Sequence, residues 1–153
     1  MTIHMHPGMR EFNRIFKECS HIYHDIALKL GLSDSGFDIL YTICEIGDGC
    51  LQKNICEATL LSKQTIHSSV RKLEKDGYLL LKPGKGRDVQ IFLTNAGNTL
   101  MEEKIAPAIH AENLAFADMT DEEQREFLRL NKKYAENLRK YAGQIQVYNL
   151  QDI

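Results

Sequence analysis

Residues 62–76 carry the side chains whose type and spacing could do chemistry. At about 100° per residue, Ile66, Val70 and Leu73 cluster on one side of a helix and must face a core. Gln64, Ser68, Arg71 and Lys75 point almost opposite, with Thr65 and Lys72 on one shoulder and His67 on the other. Glu74 stands alone as an acid, toward the edge of that outer face. Arginine matches the edge of guanine, glutamine that of adenine, and serine or threonine either. A major groove admits one helix, whose N-terminal residues reach the bases. That points to Lys63, Gln64, Thr65, Ser68 and Arg71 as base contacts, with Ser62, His67 and Lys72 beside them. An ordinary solvated helix face would carry similar charges, so the neighbouring elements decide.

A second basic cluster follows in Lys82-Pro-Gly-Lys85-Gly-Arg87-Asp88. Lys82, Lys85 and Arg87 sit on a short glycine-rich loop, where a hairpin tip reaches a minor groove or its phosphates. An acid near phosphate is repelled, so Asp88 is expected to orient Arg87 through a charge-assisted bond. Lys53 is a further expected phosphate contact. Residues 51–94 hold eight basic and four acidic side chains, net +4, inside a chain of net charge −2. A basic segment within an acidic protein fits a nucleic-acid module on a soluble scaffold.

The elements that must position these residues are mostly helical. Apolar residues at Phe12, Ile15, Phe16, Cys19, Ile22, Tyr23, Ile26 and Leu30 predict a helix over 9–30, stopped by Gly31. Ser33 caps a second helix over 34–46, broken by Gly47-Asp48-Gly49. A short helix over 51–58, with Leu51, Ile55 and Ala58 on one side, and a turn over 59–61 precede the Ser62-capped helix, which Gly77 ends. Strands over 78–82 and 89–93 form a β-hairpin. Thr94 caps the next helix, whose stripe includes Leu100, Met101, Ile105 and Ile109, with a kink or break expected near Pro107. Thr120 and Glu123 form a capping box for a last helix reaching about Tyr141. The last ten residues are expected to be loosely held.

The run Leu61-Ser-Lys-Gln-Thr-Ile-His-Ser-Ser-Val-Arg-Lys-Leu-Glu-Lys-Asp-Gly-Tyr-Leu resembles the recognition helix and first wing strand of MarR-type transcriptional regulators. Gly86-Arg-Asp-Val-Gln-Ile-Phe-Leu-Thr-Asn-Ala-Gly97 resembles the family's second wing strand and its Leu-Thr-x-x-Gly approach to the next helix. The resemblance covers nearly the whole chain and is most specific from Leu51 to Gly97. It implies a mainly α fold with a small β-hairpin: a winged helix-turn-helix with long N- and C-terminal dimerisation helices. The chain then reads as one MarR-like domain over 1–153, with dimerisation helices over 9–32 and 95–142 and a DNA-binding lobe over 33–94. It implies a homodimer on a pseudo-palindromic duplex that represses or activates nearby genes, a repressor being the expected case, often relieved by a small anionic or phenolic effector. The family wing commonly reads Asp-x-Arg; here Lys85 holds the acid's place while Arg87 keeps the arginine's.

Other chemistry is weakly signalled. Gly84-Lys-Gly-Arg lacks the spacing of a P-loop, and no nucleophile elbow is present, so no enzyme is expected. His21 and His24 share a helix face but lack further metal ligands, and neither metal nor cofactor is expected. Cys19, Cys44, Cys50 and Cys56 form no Cys-x-x-Cys pair and read as reduced thiols. Cys19, on the apolar stripe, is expected to be packed and inert. Tyr23, Phe37 and Tyr41 are candidates for an effector pocket, although aromatics at such spacings are ordinary core residues too. The alternatives are a thiol-based redox-sensing regulator and a winged-helix protein-interaction module without specific DNA binding. With 153 residues, 43% hydrophobic and 26% charged, the chain has the composition of a globular domain. No stretch approaches the ~18 apolar residues of a membrane span, and the N-terminus lacks the pattern of a signal peptide, so a cytoplasmic protein is expected.

Overall fold

The computed structural model describes residues 4–145. They belong to two compact units, Met1–Ile109 and His110–Ile153.

The first unit opens with α1, Pro7–Lys29, capped by the His6 imidazole. Gly31 then adopts φ +71°, a left-handed turn that ends the helix. Helix α2, Asp34–Ile46, starts where the Gly36 N–H donates to the Ser33 hydroxyl at 3.2 Å. Helix α3, Gln52–Ala58, is short, and α4, Lys63–Lys75, follows the tight turn. Strands β1, Leu79–Pro83, and β2, Val89–Leu93, pair antiparallel from Leu79↔Leu93 to Pro83↔Val89. The first strand begins one residue later than the aliphatic run predicts.

The wing has a third backbone partner. Leu51 bridges Gln90, Gly49 N–H donates to the Ile91 carbonyl at 2.9 Å, and Ile91 N–H donates to the Cys50 carbonyl at 2.9 Å. The Leu93 N–H donates to the Asp48 carboxylate at 2.7 Å. The segment expected only to break α2 therefore also satisfies the outer edge of β2, where free backbone groups would otherwise stand.

Ile39, Leu40 and Ile43 of α2, Ile55 of α3, Ile66 and Val70 of α4 and Ile91 of β2 are fully buried together. Each stabilises the fold by roughly 1.5–3 kcal/mol relative to exposure. This shared core fixes α4 against α2 and α3 and leaves the opposite α4 face outward. Ser35 and Ser69 hydroxyls, 2.8 Å apart, add a polar tie between α2 and α4. Ala58, expected on the inner side of α3, is exposed because the helix ends there and the chain turns away.

Helix α5, Asn95–Leu100, runs into a π-helical turn over Met101–Ile105. The Ala106 N–H donates to the Met101 carbonyl, five residues back. Helix α6, Ala106–Ala117, continues directly from that turn, with Pro107 as its second residue. The expected break is thus a π-turn placed just before the proline.

In the second unit, Thr120 and Glu123 form the expected capping box of α7, Asp121–Ala142. The Gln124 side-chain amide donates to the Phe116 and Met119 carbonyls at 3.0 Å each, and Phe116 meets Phe127 edge to face at 6.4 Å. No α7 residue is buried. The loosely held end expected over 144–153 lies, but for its first two residues, outside the described chain.

Cys19 is exposed, not packed. Its neighbours Phe16 and Ile22 are 60% and 53% exposed, because the apolar stripe of α1 lies largely outside the core that α2 and α4 share. Among the described residues all four cysteines are free thiols.

Candidate nucleic-acid interface

The Thr65 N–H donates to the Ser62 hydroxyl at 3.0 Å, which fixes the start of α4. Ser62 is thereby a cap, and its oxygen also lies 2.8 Å from the Thr65 hydroxyl. The Ser68 hydroxyl donates to the Thr65 carbonyl at 2.9 Å. Lys63, Gln64, His67, Ser68, Arg71 and Lys72 are all exposed, and Thr65 is half-buried. The structure thus brings the expected polar face together on one continuous surface. Ser62 and Thr65 are partly occupied in holding the helix end.

Arg71 is not free. Its guanidinium bonds the Glu74 carboxylate at 2.8 Å, one turn on. The pair is exposed, so it exchanges readily for a better acceptor.

On the wing, Lys85 and Arg87 stand exposed at the tip, around Gly86 with φ +67°. Lys82 turns back instead, its ammonium 4.6 Å from the Phe92 ring centroid. Asp88 does not pair with Arg87. Its carboxylate accepts a bond from the Lys53 ammonium at 2.9 Å, across to α3. The Asp88 carboxylate thus points to α3 and is taken up by Lys53 rather than by its neighbour Arg87. That hydrogen bond, and then the Asp88 charge, raise the Lys53 pKa above its usual value. Lys53, Lys63, Arg87 and Asp88 line one concavity of about 360 Å³ between α3, the start of α4 and the wing, with Cys56 on its wall.

A groove of about 340 Å³ lies between α1 and α2. Tyr23 and Phe37 line it, with Ser20, His24, Asp34 and Asp38. Tyr41 does not line it, but its ring lies 5.9 Å from that of Phe37. The His24 ring lies 2.8 Å from the Asp34 carboxylate. Burial, and then the charge of Asp34, push the Asp38 carboxyl above its ordinary range. Burial likewise raises the Cys50 thiol, and Asp48 adds to this. Among the described residues, no three His, Cys, Asp or Glu side chains converge as metal ligands. No described helix is long and apolar enough to cross a membrane.

The Lys53–Asp88 pair, the Asp48 bond to β2 and the His24–Asp34 contact escape sequence reasoning. Their partners are 35, 45 and 10 residues apart, and no local pattern links them.

A short helix, a capped helix with a polar and cationic outer face, and a basic two-stranded wing define a winged helix-turn-helix fold. Residues 30–88 match the model of the MarR family. A MarR protein from Peptoclostridium difficile is 23% identical, with 95% of this chain and 97% of that one covered at a TM-score of 0.68. A MarR family regulator from Neisseria meningitidis is 23% identical over 92% of this chain and 99% of its own, with a TM-score of 0.76. BpsR of Bordetella bronchiseptica, whose DNA binding is regulated by 6-hydroxynicotinic acid, is 18% identical over 89% and 99%, with a TM-score of 0.61. No curated protein matches the sequence.

Proposed function

We propose that this protein is a homodimeric repressor that binds a pseudo-palindromic operator in the cytoplasm. The observation that carries the reading is the exposed face of Gln64, Ser68 and Arg71, held on a buried core beside the basic wing tip. Lys63, Gln64, Thr65, Ser68 and Arg71 enter the major groove. Lys72, Lys85 and Arg87 hold phosphates or the minor groove, and Lys82 contributes charge from the wing's flank. Two copies read half-sites about one helical turn, ~34 Å, apart. Dimerisation through the terminal helices is supported by their exposed apolar residues: Ile15 and Phe16 of α1 are 50% and 60% exposed, and Leu138 and Tyr141 of α7 are 53% and 60% exposed.

Fluorescence anisotropy tests the reading, with the gene's upstream duplex and a scrambled one at two salt concentrations. Tight binding to the upstream duplex alone, with a steep salt slope, is expected. Arg71→Ala should cost ~1–3 kcal/mol and relax preference at one base step. Equal affinity for both duplexes, or an Arg71→Ala variant unchanged in affinity and preference, overturns the recognition-helix assignment.

The effector reading rests on the groove of Tyr23 and Phe37. Asp34 and Asp38 on its wall repel a carboxylate, so a phenolic group, donating a hydrogen bond, suits it better than an anion. Competition of phenolic ligands against operator DNA tests this; a bound phenol that leaves DNA affinity unchanged refutes it.

A further inference from the structure

We propose that the Lys53–Asp88 ion pair sets the direction and reach of the wing, so that Lys53 acts on DNA binding as a positioning residue rather than as a phosphate contact. The inference rests on the DNA-binding reading above and names what aims the wing in it.

Asp88 is the residue through which the wing loop is closed. The Gly84 N–H donates to the Asp88 carbonyl at 2.8 Å, and the Asp88 N–H donates to the Lys85 carbonyl at 3.2 Å. The contact is tight: a Cβ on Gly84 would lie 3.1 Å from the Asp88 Cβ and 3.2 Å from its carbonyl oxygen. Residues 84–88 therefore move together, and Lys85 and Arg87 move with them. The 2.9 Å bond from Lys53 joins this closed loop by a side chain to α3. Helix α3 is anchored in turn by fully buried Ile55 and by the Leu51–Gln90 bridge at the start of β2, two residues from Asp88. The wing is thus held at two places, by backbone near Gln90 and by a side-chain clamp near its tip. Without the clamp, the tip swings about its backbone attachment.

The pair also solves an electrostatic problem. An acid next to Arg87 would oppose approach to a phosphate backbone. The Lys53 ammonium neutralises it and turns it toward α3, leaving the Arg87 charge uncompensated at the tip. An exposed pair of this kind contributes little to folding. Its consequence is geometric, since each ångström of wing displacement changes which phosphate or groove edge Arg87 meets.

A charge swap tests the inference, using Lys53→Glu, Asp88→Lys and the double variant. Two readouts are needed: anisotropy on the operator duplex, and hydrogen exchange of the wing peptide over residues 82–90 without DNA. Each single variant should exchange at least fivefold faster in the wing and bind the operator at least tenfold more weakly. The double variant should recover wild-type exchange and bind within threefold of wild type, with an unchanged salt slope. Operator binding in the double variant as weak as in Lys53→Glu would mean that Lys53 contacts phosphate directly, and the inference falls. Unchanged wing exchange in the single variants also overturns it, whatever the DNA result. If the wild type binds no duplex while the exchange pattern follows the swap, the clamp stands and the DNA-binding reading fails instead.

Discussion

Gly97 packs so closely against Tyr78 that a Cβ at its α-carbon would overlap the Tyr78 carbonyl oxygen. The same carbonyl accepts the Thr94 N–H at 3.0 Å, and the Thr94 hydroxyl donates to the Gly77 carbonyl at 2.6 Å while accepting the Gly97 N–H at 3.0 Å. The Leu-Thr-x-x-Gly run thus welds the base of the wing to the first turn of α5. The end of α4, both strands and α5 share one junction.

Gly97→Ala should therefore destabilise the protein by at least about 2 kcal/mol, because the obstructing atom is backbone and cannot rotate away. Urea unfolding measures this. A variant with the wild-type midpoint would mean that the junction yields and that the close approach is not needed.

Glu74 holds Arg71 and adds a negative charge at the edge of the exposed α4 face. Glu74→Ala should raise operator affinity two- to fivefold, by removing both the competing acceptor and the repulsion of phosphate. Thermal stability should change by less than about 0.5 kcal/mol, the scale of an exposed pair one turn apart on a helix. Weaker operator binding in Glu74→Ala would show instead that the acid orients Arg71 for the base.

Burial first, and Asp34 second, raise the Asp38 carboxyl above its ordinary value of 3.8. The folded state then binds this proton more tightly than the unfolded state. Asp38 favours folding below 3.8, and that contribution is lost as pH rises through the folded-state value. Asp38→Asn, which stays neutral, should raise the urea midpoint at pH 7 and bring little change at pH 3. A lower midpoint at pH 7 would show that the ionised carboxylate is a net stabilising partner.

Much of the fold was legible because its signals are local. Ser33, Ser62, Thr94 and Thr120 were expected as helix caps, and each accepts the backbone N–H three residues on. Ile66, Val70 and Leu73 were expected inward from their spacing, and all three are buried. The polar face of α4 followed from the same periodicity. Cys19 shows where periodicity stops. Its stripe was correctly helical, yet an apolar stripe says only that a surface wants cover, not that its own fold provides it.

The sequence alone determined the order of the main elements, the capped starts of four helices and the outward face of α4. Caps, glycine stops and helical periods act between residues within about four positions of one another, so a linear reading reaches them. Only the tertiary structure decided that Asp88 pairs with Lys53 and not with Arg87, and that residues 48–51 complete the edge of β2. Those contacts join groups 35 and 45 residues apart. Their geometry is set by how α3 and the wing seat on the common core, and no sequence spacing encodes that distance.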